Sequence, residues 1–188
     1  DTYQPIAGDL THYVYVDSPF KKNVDYYAAT LDWDLGWGDF TSATGYSKID
    51  TKRRQDTTID YGSVANLLLG LPERGSSYFD TTLDFKQLTQ EFRLASKSGG
   101  QLEWLVGTFY SKEDGNNRQF AALNQMDGSP LPSPYDAIAG DLATLQLPTD
   151  YKEVALFANA SWRFTDRFKL GAGVRYAQND QNFVQDVT

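Results

Sequence analysis

The sequence predicts an all-β chain, an antiparallel up-and-down meander that forms part of a transmembrane β-barrel. Three observations lead there. Tight turns at Leu35-Gly36-Trp37-Gly38, Lys97-Ser98-Gly99-Gly100 and Thr165-Asp166-Arg167 alternate with two long connections, roughly Ser47 to Phe85 and Glu113 to Asp150. Barrels that cross an outer membrane have two such unequal rims, short turns on one side and long loops on the other. The segments between the turns alternate with period two and run longer than most soluble strands. Finally, the aromatic share is 14% while mean hydropathy is only -0.51, as expected of a wall in which every second residue faces lipid.

Six strands are expected. Residues 24–34 place Tyr27, Ala29, Leu31 and Trp33 on one face and Tyr26, Ala28, Thr30 and Asp32 on the other. Residues 39–48 return with a poorer pattern of Phe40, Thr44 and Tyr46. Residues 85–96 alternate Leu88, Phe92 and Leu94 against Thr89, Glu91 and Arg93, with Gln90 interrupting the apolar side. In 101–112, Leu102, Trp104, Val106 and Tyr110 share a face, although Leu105 and Phe109 make the other face partly apolar. Residues 151–164 align Val154, Leu156, Ala158, Ala160, Trp162 and Phe164. Residues 168–180 give the cleanest alternation, Phe168, Leu170, Ala172, Val174 and Tyr176 against Lys169, Gly171, Gly173 and Arg175. Trp37, Phe40, Trp162, Phe164 and Phe168 cluster at short turns, the position of an interfacial aromatic girdle. A short helical turn is expected within Tyr61–Leu71.

The totals exclude several classes. No apolar run approaches the ~18 residues of a membrane helix. With no cysteine there is neither a disulfide framework nor a thiolate metal site. A net charge of -8 argues against a nucleic-acid partner. Much of the acid falls in 113–150, where six acids face the single base Arg118, a net -5. No signal peptide precedes Asp1, and neither end reads as a natural boundary, so the sequence is expected to be a piece of a longer chain. A passive porin or structural barrel, and a soluble β-sandwich binding module, are the alternatives that share these totals.

Three segments together resemble the barrel of the TonB-dependent outer-membrane receptors, in their large proteobacterial branch. They are Leu88-Thr89-Gln90-Glu91-Phe92-Arg93-Leu94-Ala95-Ser96, then Leu102-Glu103-Trp104-Leu105-Val106-Gly107-Thr108-Phe109-Tyr110, then the hairpin with Ala155-Leu156-Phe157-Ala158, Thr165-Asp166-Arg167-Phe168 and Gly173-Val174-Arg175-Tyr176. Thr41-Ser42-Ala43-Thr44-Gly45-Tyr46 is a weaker match. The resemblance implies a plugged barrel of about 22 strands, in the outer membrane of a bacterium. It implies energy-dependent uptake of a scarce small ligand of the siderophore, cofactor or saccharide class, driven by the TonB complex through a plug. On this reading residues 1–188 are a partial barrel domain of about six strands and two long extracellular loops. The plug, the TonB box and the remaining strands lie outside them. The partners are outer-membrane lipid and a small molecule, and no cofactor is implied.

No catalytic or metal-ligating set is assigned. His12 is the sole histidine, and the strand carboxylates Glu91, Glu103 and Glu153 read as a hydrated lumen wall with Arg93, Arg163 and Arg175. Asp114-Gly115-Asn116-Asn117 and Asp127-Gly128 read as turns. Specificity in a barrel receptor belongs to rim loops, so Phe120, Met126 and Tyr135 in the second long connection are the candidate ligand contacts.

Overall fold

The computed structural model describes residues 14–67 and 69–187; His12 lies outside them. Six long strands follow one another: β1 (Phe20–Asp34), β2 (Gly38–Asp56), β3 (Ser76–Ser96), β4 (Leu102–Asn124), β5 (Asp141–Thr165) and β6 (Phe168–Phe183). Each pairs antiparallel with the next in a single sheet, and a two-residue β7 (Asp186–Val187) adds to β5. Both long connections therefore emerge at one rim and the three short turns at the other. In two of those turns Gly36 (φ 82°) and Gly99 (φ 89°) adopt the left-handed backbone that only glycine enters without strain.

The strands outrun their sequence expectation at the long-loop end only. β2 continues eight residues past Lys48, to Asp56, and β3 begins at Ser76. Asp114-Gly115-Asn116-Asn117 is not a turn but the interior of β4, paired with Asp150, Thr149, Pro148 and Leu147 of β5. The long connections accordingly shrink to 57–75 and 125–140. Two one-turn helices, α1 (Thr58–Tyr61) and α2 (Val64–Leu67), fill the first, beginning a little before the expected helical span. A π-helical turn at Asp136–Gly140 closes the second. The Asp127-Gly128 turn is present, with Gly128 at φ 83° and the Gln125 amide donating to the Ser129 carbonyl at 2.9 Å.

Directly paired residues point to the same side of a sheet, so the register assigns every strand residue to a face. One face carries Leu31, Phe40, Leu88, Phe92, Leu94, Trp104, Val106, Leu156, Trp162, Leu170 and Val174. The other carries Glu91, Arg93, Glu103, Glu153, Lys169 and Arg175. Those are the two sets that alternation predicts. The apolar side is the uncovered one: on β5, Leu156 is 57% exposed while its neighbour Ala155, facing the polar side, is 1% exposed. The polar side is concave and encloses a hollow lined by β3, β4, β5 and β6. A sheet that hides polar groups in its concavity and shows apolar ones on its convex surface is inverted relative to a soluble sandwich, where apolar faces pack together.

Gln90 breaks the apolar face without being left unpaired. Its amide nitrogen donates to Ser42 Oγ at 3.0 Å and its carbonyl accepts from Thr44 Oγ at 2.5 Å. Three polar side chains satisfy one another where water is scarce. On the concave side Gly107 lies directly opposite Phe157, whose ring covers it; a Cβ there would overlap that ring and the Phe92 carbonyl. Gly107→Val is therefore expected to destabilise the sheet by about 1–3 kcal/mol, seen as loss of the folded gel band at a lower temperature, with Gly107→Ala intermediate.

Candidate functional site

The concave hollow has a volume of about 710 Å³. It sits where the strands pass from their alternating part into their hydrated extension. Phe85, Phe109, Tyr151 and Phe183 supply rings, and Gln87, Ser111, Glu113, Asn117, Glu153 and Gln181 supply polar groups. Strand alternation explains the set: Gln87, Glu113 and Tyr151 are directly paired across β3, β4 and β5, as are Phe85, Gly115 and Thr149 one step higher. The Gln87 amide donates to Glu113 at 2.7 Å. Glu153 accepts from Tyr151 Oη at 2.9 Å and from Arg175 at 2.6 Å. Arg175 also lies over Phe109 and Phe157, 5.5 and 5.9 Å from the ring centres. Ser111 Oγ and Asn117 Oδ1 are buried in this wall with no hydrogen-bond partner among the described residues. Below the hollow, polar pairs continue down the concave side: Glu91 with Arg93, and Glu103 with Lys169 at 2.5 Å.

Above the hollow the two shortened connections pack on each other. Leu123, fully buried, joins Ala65, Leu131 and Ala139, with Val64, Leu69, Leu71 and Tyr135 around them. Thr57, Thr58, Ser76 and Ser77 are buried beneath, with Thr57 Oγ 2.9 Å from Ser77 Oγ and the Ser77 amide donating to Thr58 Oγ at 3.0 Å. The rim is thus a small folded cap with its own core.

The sequence-derived candidates all lie on this rim and outside the hollow. Phe120 is on β4, not in a loop; its register places it on the convex side, where its ring meets Tyr78 at 6.3 Å. Met126 borders a second cleft of about 340 Å³ between the connections, with Arg74, Leu71 and Pro132. Tyr135 packs against the rim core. The hollow itself was missed as a site, although the apolar residue Phe109 on the polar face of β4 was its signal.

Alternation, register, inverted faces and unequal rims agree with what comparison with known proteins finds. The family model for the TonB-dependent receptor-like β-barrel matches residues 2–188. The chain belongs to that family. Among solved structures, the ferric yersiniabactin uptake receptor FyuA from Yersinia pestis is similar over 93% of this chain, with a TM-score of 0.60 and 15% identity. The chain spans 26% of FyuA, so the likeness concerns the fold of one part of that barrel. No curated protein sequence matches. The resemblance read from the three strand motifs is thereby shown, and the barrels of that family are bacterial outer-membrane barrels.

Two predictions follow from the rim geometry. Leu123→Ala should cost the cap about 2–5 kcal/mol, read as faster amide exchange in 57–75 and 125–140 with exchange in β5 and β6 unchanged. Asp56, at the end of β2, accepts from the backbone amides of Tyr15 (2.5 Å), Val16 (3.3 Å) and Thr58 (2.9 Å). Partial burial pushes this carboxyl up, but the hydrogen bonds from Thr58, Tyr15 and Val16 outweigh it and hold it below the usual carboxylate value. A depressed carboxyl contributes stability that is full above its unfolded value of about 3.9 and is lost as pH falls through the folded one. Protection of the Tyr15 and Val16 amides, taken relative to intrinsic exchange at each pH, should therefore fall below about pH 4, and in Asp56→Asn it should be low already at neutral pH.

Proposed function

We propose that this barrel segment belongs to an outer-membrane receptor for energy-dependent uptake of a scarce small ligand. The TonB complex would act through a plug and TonB box that lie outside residues 1–188, which serve as part of the barrel domain. The ligand is of the siderophore, cofactor or saccharide class, and the rim cap with Met126 and Tyr135 gates its entry. Phe120 contributes by holding the β3–β4 extension that carries the cap. The work is transport, and no catalytic group or cofactor is assigned.

The hollow is the single observation that carries the reading. It opens on the lumen side below the cap, so a ligand passing the rim meets it next. Its rings offer flat apolar contact, and its polar groups are rich in acceptors: Glu113, Glu153, Asn117 Oδ1 and the Ser111 hydroxyl. The neighbouring cation, Arg175, is already committed to Glu153. Such a wall favours a neutral or cationic ligand that presents hydroxyl or amine donors between apolar faces. A bare anionic chelate would meet two carboxylates and no uncommitted cation. Within the three classes this supports a saccharide-like or cofactor-like molecule, since pockets of this kind fix orientation with a few placed polar groups.

Uptake by cells carrying the full-length receptor tests this with neutral oligosaccharides, a cobalamin and an anionic ferric chelate, with and without an energised inner membrane. The neutral ligands should accumulate only when energised, and Phe109→Ala with Glu113→Gln should weaken capture by roughly tenfold or more, as for loss of a charged hydrogen bond and a ring contact. Accumulation without energy would favour the passive porin. Removing 125–140 should abolish capture and leave assembly intact; a cut from Asn117 to Leu147 would also remove β4 and β5 residues.

A further inference from the structure

The hollow on the concave wall has a shape as well as a lining. Its floor follows β4 through the successive inward positions Phe109, Ser111, Glu113, Gly115 and Asn117, with β5 alongside. Side chains of β3 form one side and those of β6 the other. At ~3.3 Å per residue the floor runs about 26 Å, while the backbones of β3 and β6 stand three strand spacings apart, about 14 Å. The result is a trough lying along the strands. Its upper end points at the cap, and Arg175, over Phe109 and Phe157, closes the lower end.

Along that floor, Ser111 Oγ and Asn117 Oδ1 have no hydrogen-bond partner among the described residues, and Ser111 is only 2% exposed. Six residues of strand separate them, about 20 Å, so no compact molecule meets both. Between them Gly115 leaves bare backbone in the row Phe85, Gly115, Thr149, Phe183. A Cβ at Gly115 would find its nearest heavy atom, Phe85 Cδ2, at 3.6 Å, which is ordinary contact. Unlike Gly107, this glycine relieves no clash. Its missing side chain is open floor between the Phe85 and Phe183 rings.

We propose that this trough selects a linear, non-acidic oligosaccharide by length, bound lengthwise from Ser111 to Asn117, with Gly115 as the residue that admits its middle ring. The trough serves the receptor proposed above, and its assignment rests on that reading. Glu153 is held by Arg175 and Tyr151, and Glu113 by the Gln87 amide. Both carboxylates turn away an acidic chain and accept from a hydroxyl. An extended peptide fits less well, because it brings carbonyl oxygens as well as amides. The Gln87 amide and the Arg175 guanidinium are already committed, and a buried carbonyl without a donor is costly. A sugar hydroxyl donates inward to an oxygen of the floor and accepts from water on its outer side. The apolar faces of the sugar rings lie against Phe85 and Phe183, the mixture of aromatic walls and few placed polar groups that small-molecule sites use.

Calorimetry on purified full-length receptor tests this with neutral glucan, xylan and mannan oligomers, each from disaccharide to hexasaccharide, and with oligogalacturonates of equal length. In at least one neutral series Kd should fall at least ~10-fold with length and level off once the chain spans the ~20 Å floor. Acidic chains should bind at least ~10-fold more weakly. Gly115→Val should remove the gain with length, a loss of ~10-fold or more for the longest chains, while disaccharide binding and heat-modifiable migration are unchanged. Gly115→Ala should fall between, and Ser111→Ala should weaken the longest chains roughly 3- to 10-fold. Binding that rises with length in none of the series overturns the proposal, as does a folded Gly115→Val variant with wild-type affinity for the longest chain. Energised cells that accumulate a cobalamin, beside a receptor without length dependence, would overturn the trough and leave the receptor reading intact. Length-dependent binding without energised accumulation would keep the trough and overturn that reading.

Discussion

Hydrocarbon contains no water to satisfy backbone N–H and C=O groups, and the rest of the structure depends on that. A strand can cross only if both of its edges are hydrogen-bonded, which leaves the closed barrel as the viable form of sheet. The ladder in this chain is continuous from β1 to β6, one residue opposite one residue over almost its whole length. Irregularities are confined to the two ends of β5, near Ala121–Ala122 and Arg163–Thr165. Among the described residues β1 pairs only with β2, and β6 only with β5. Their outer edges demand partner strands in a membrane. Once the ladder is fixed, alternation leaves no freedom: a slip of one residue would move Glu91, Arg93 and Arg175 into lipid.

Where the bilayer ends, the constraint changes and so does the sequence. Inside the band, one face is apolar and the other polar, so the spans around Leu88–Leu94 and Phe168–Tyr176 are legible from periodicity alone. Beyond it both faces meet water. Lys52-Arg53-Arg54-Gln55 and Asn116-Asn117-Arg118-Gln119 have no period, and Asp114-Gly115-Asn116-Asn117 carries the composition of a turn. These residues are strand because the ladder continues through them. Cross-strand pairs such as Arg54 with Asp80, bonded at 2.7 Å, assist it, as does the cap core around Leu123 at its far end. Pro148 would ordinarily argue against a strand, yet its carbonyl still accepts from the Val184 amide at 3.2 Å. Local composition cannot report a tertiary ladder, so the extensions read as loops.

The site followed the same logic. Residues Phe120, Met126 and Tyr135 were reachable from sequence as loop residues, but the hollow is assembled from alternate positions of β3, β4, β5 and β6 that no linear motif connects. Its one visible trace was an aromatic on the wrong face, Phe109.

The central claim is that the convex apolar face meets lipid and the concave polar face meets the lumen. Spin labels at cysteines introduced singly from Phe168 to Tyr176, in full-length receptor reconstituted in bilayers, read it directly through collisions with oxygen and with a water-soluble nickel chelate. Positions 168, 170, 172, 174 and 176 should favour oxygen, deepest near Ala172, and 169, 171, 173 and 175 should favour the chelate or neither. A profile without period two, or one in which Lys169 and Arg175 are the oxygen-accessible set, would contradict the account.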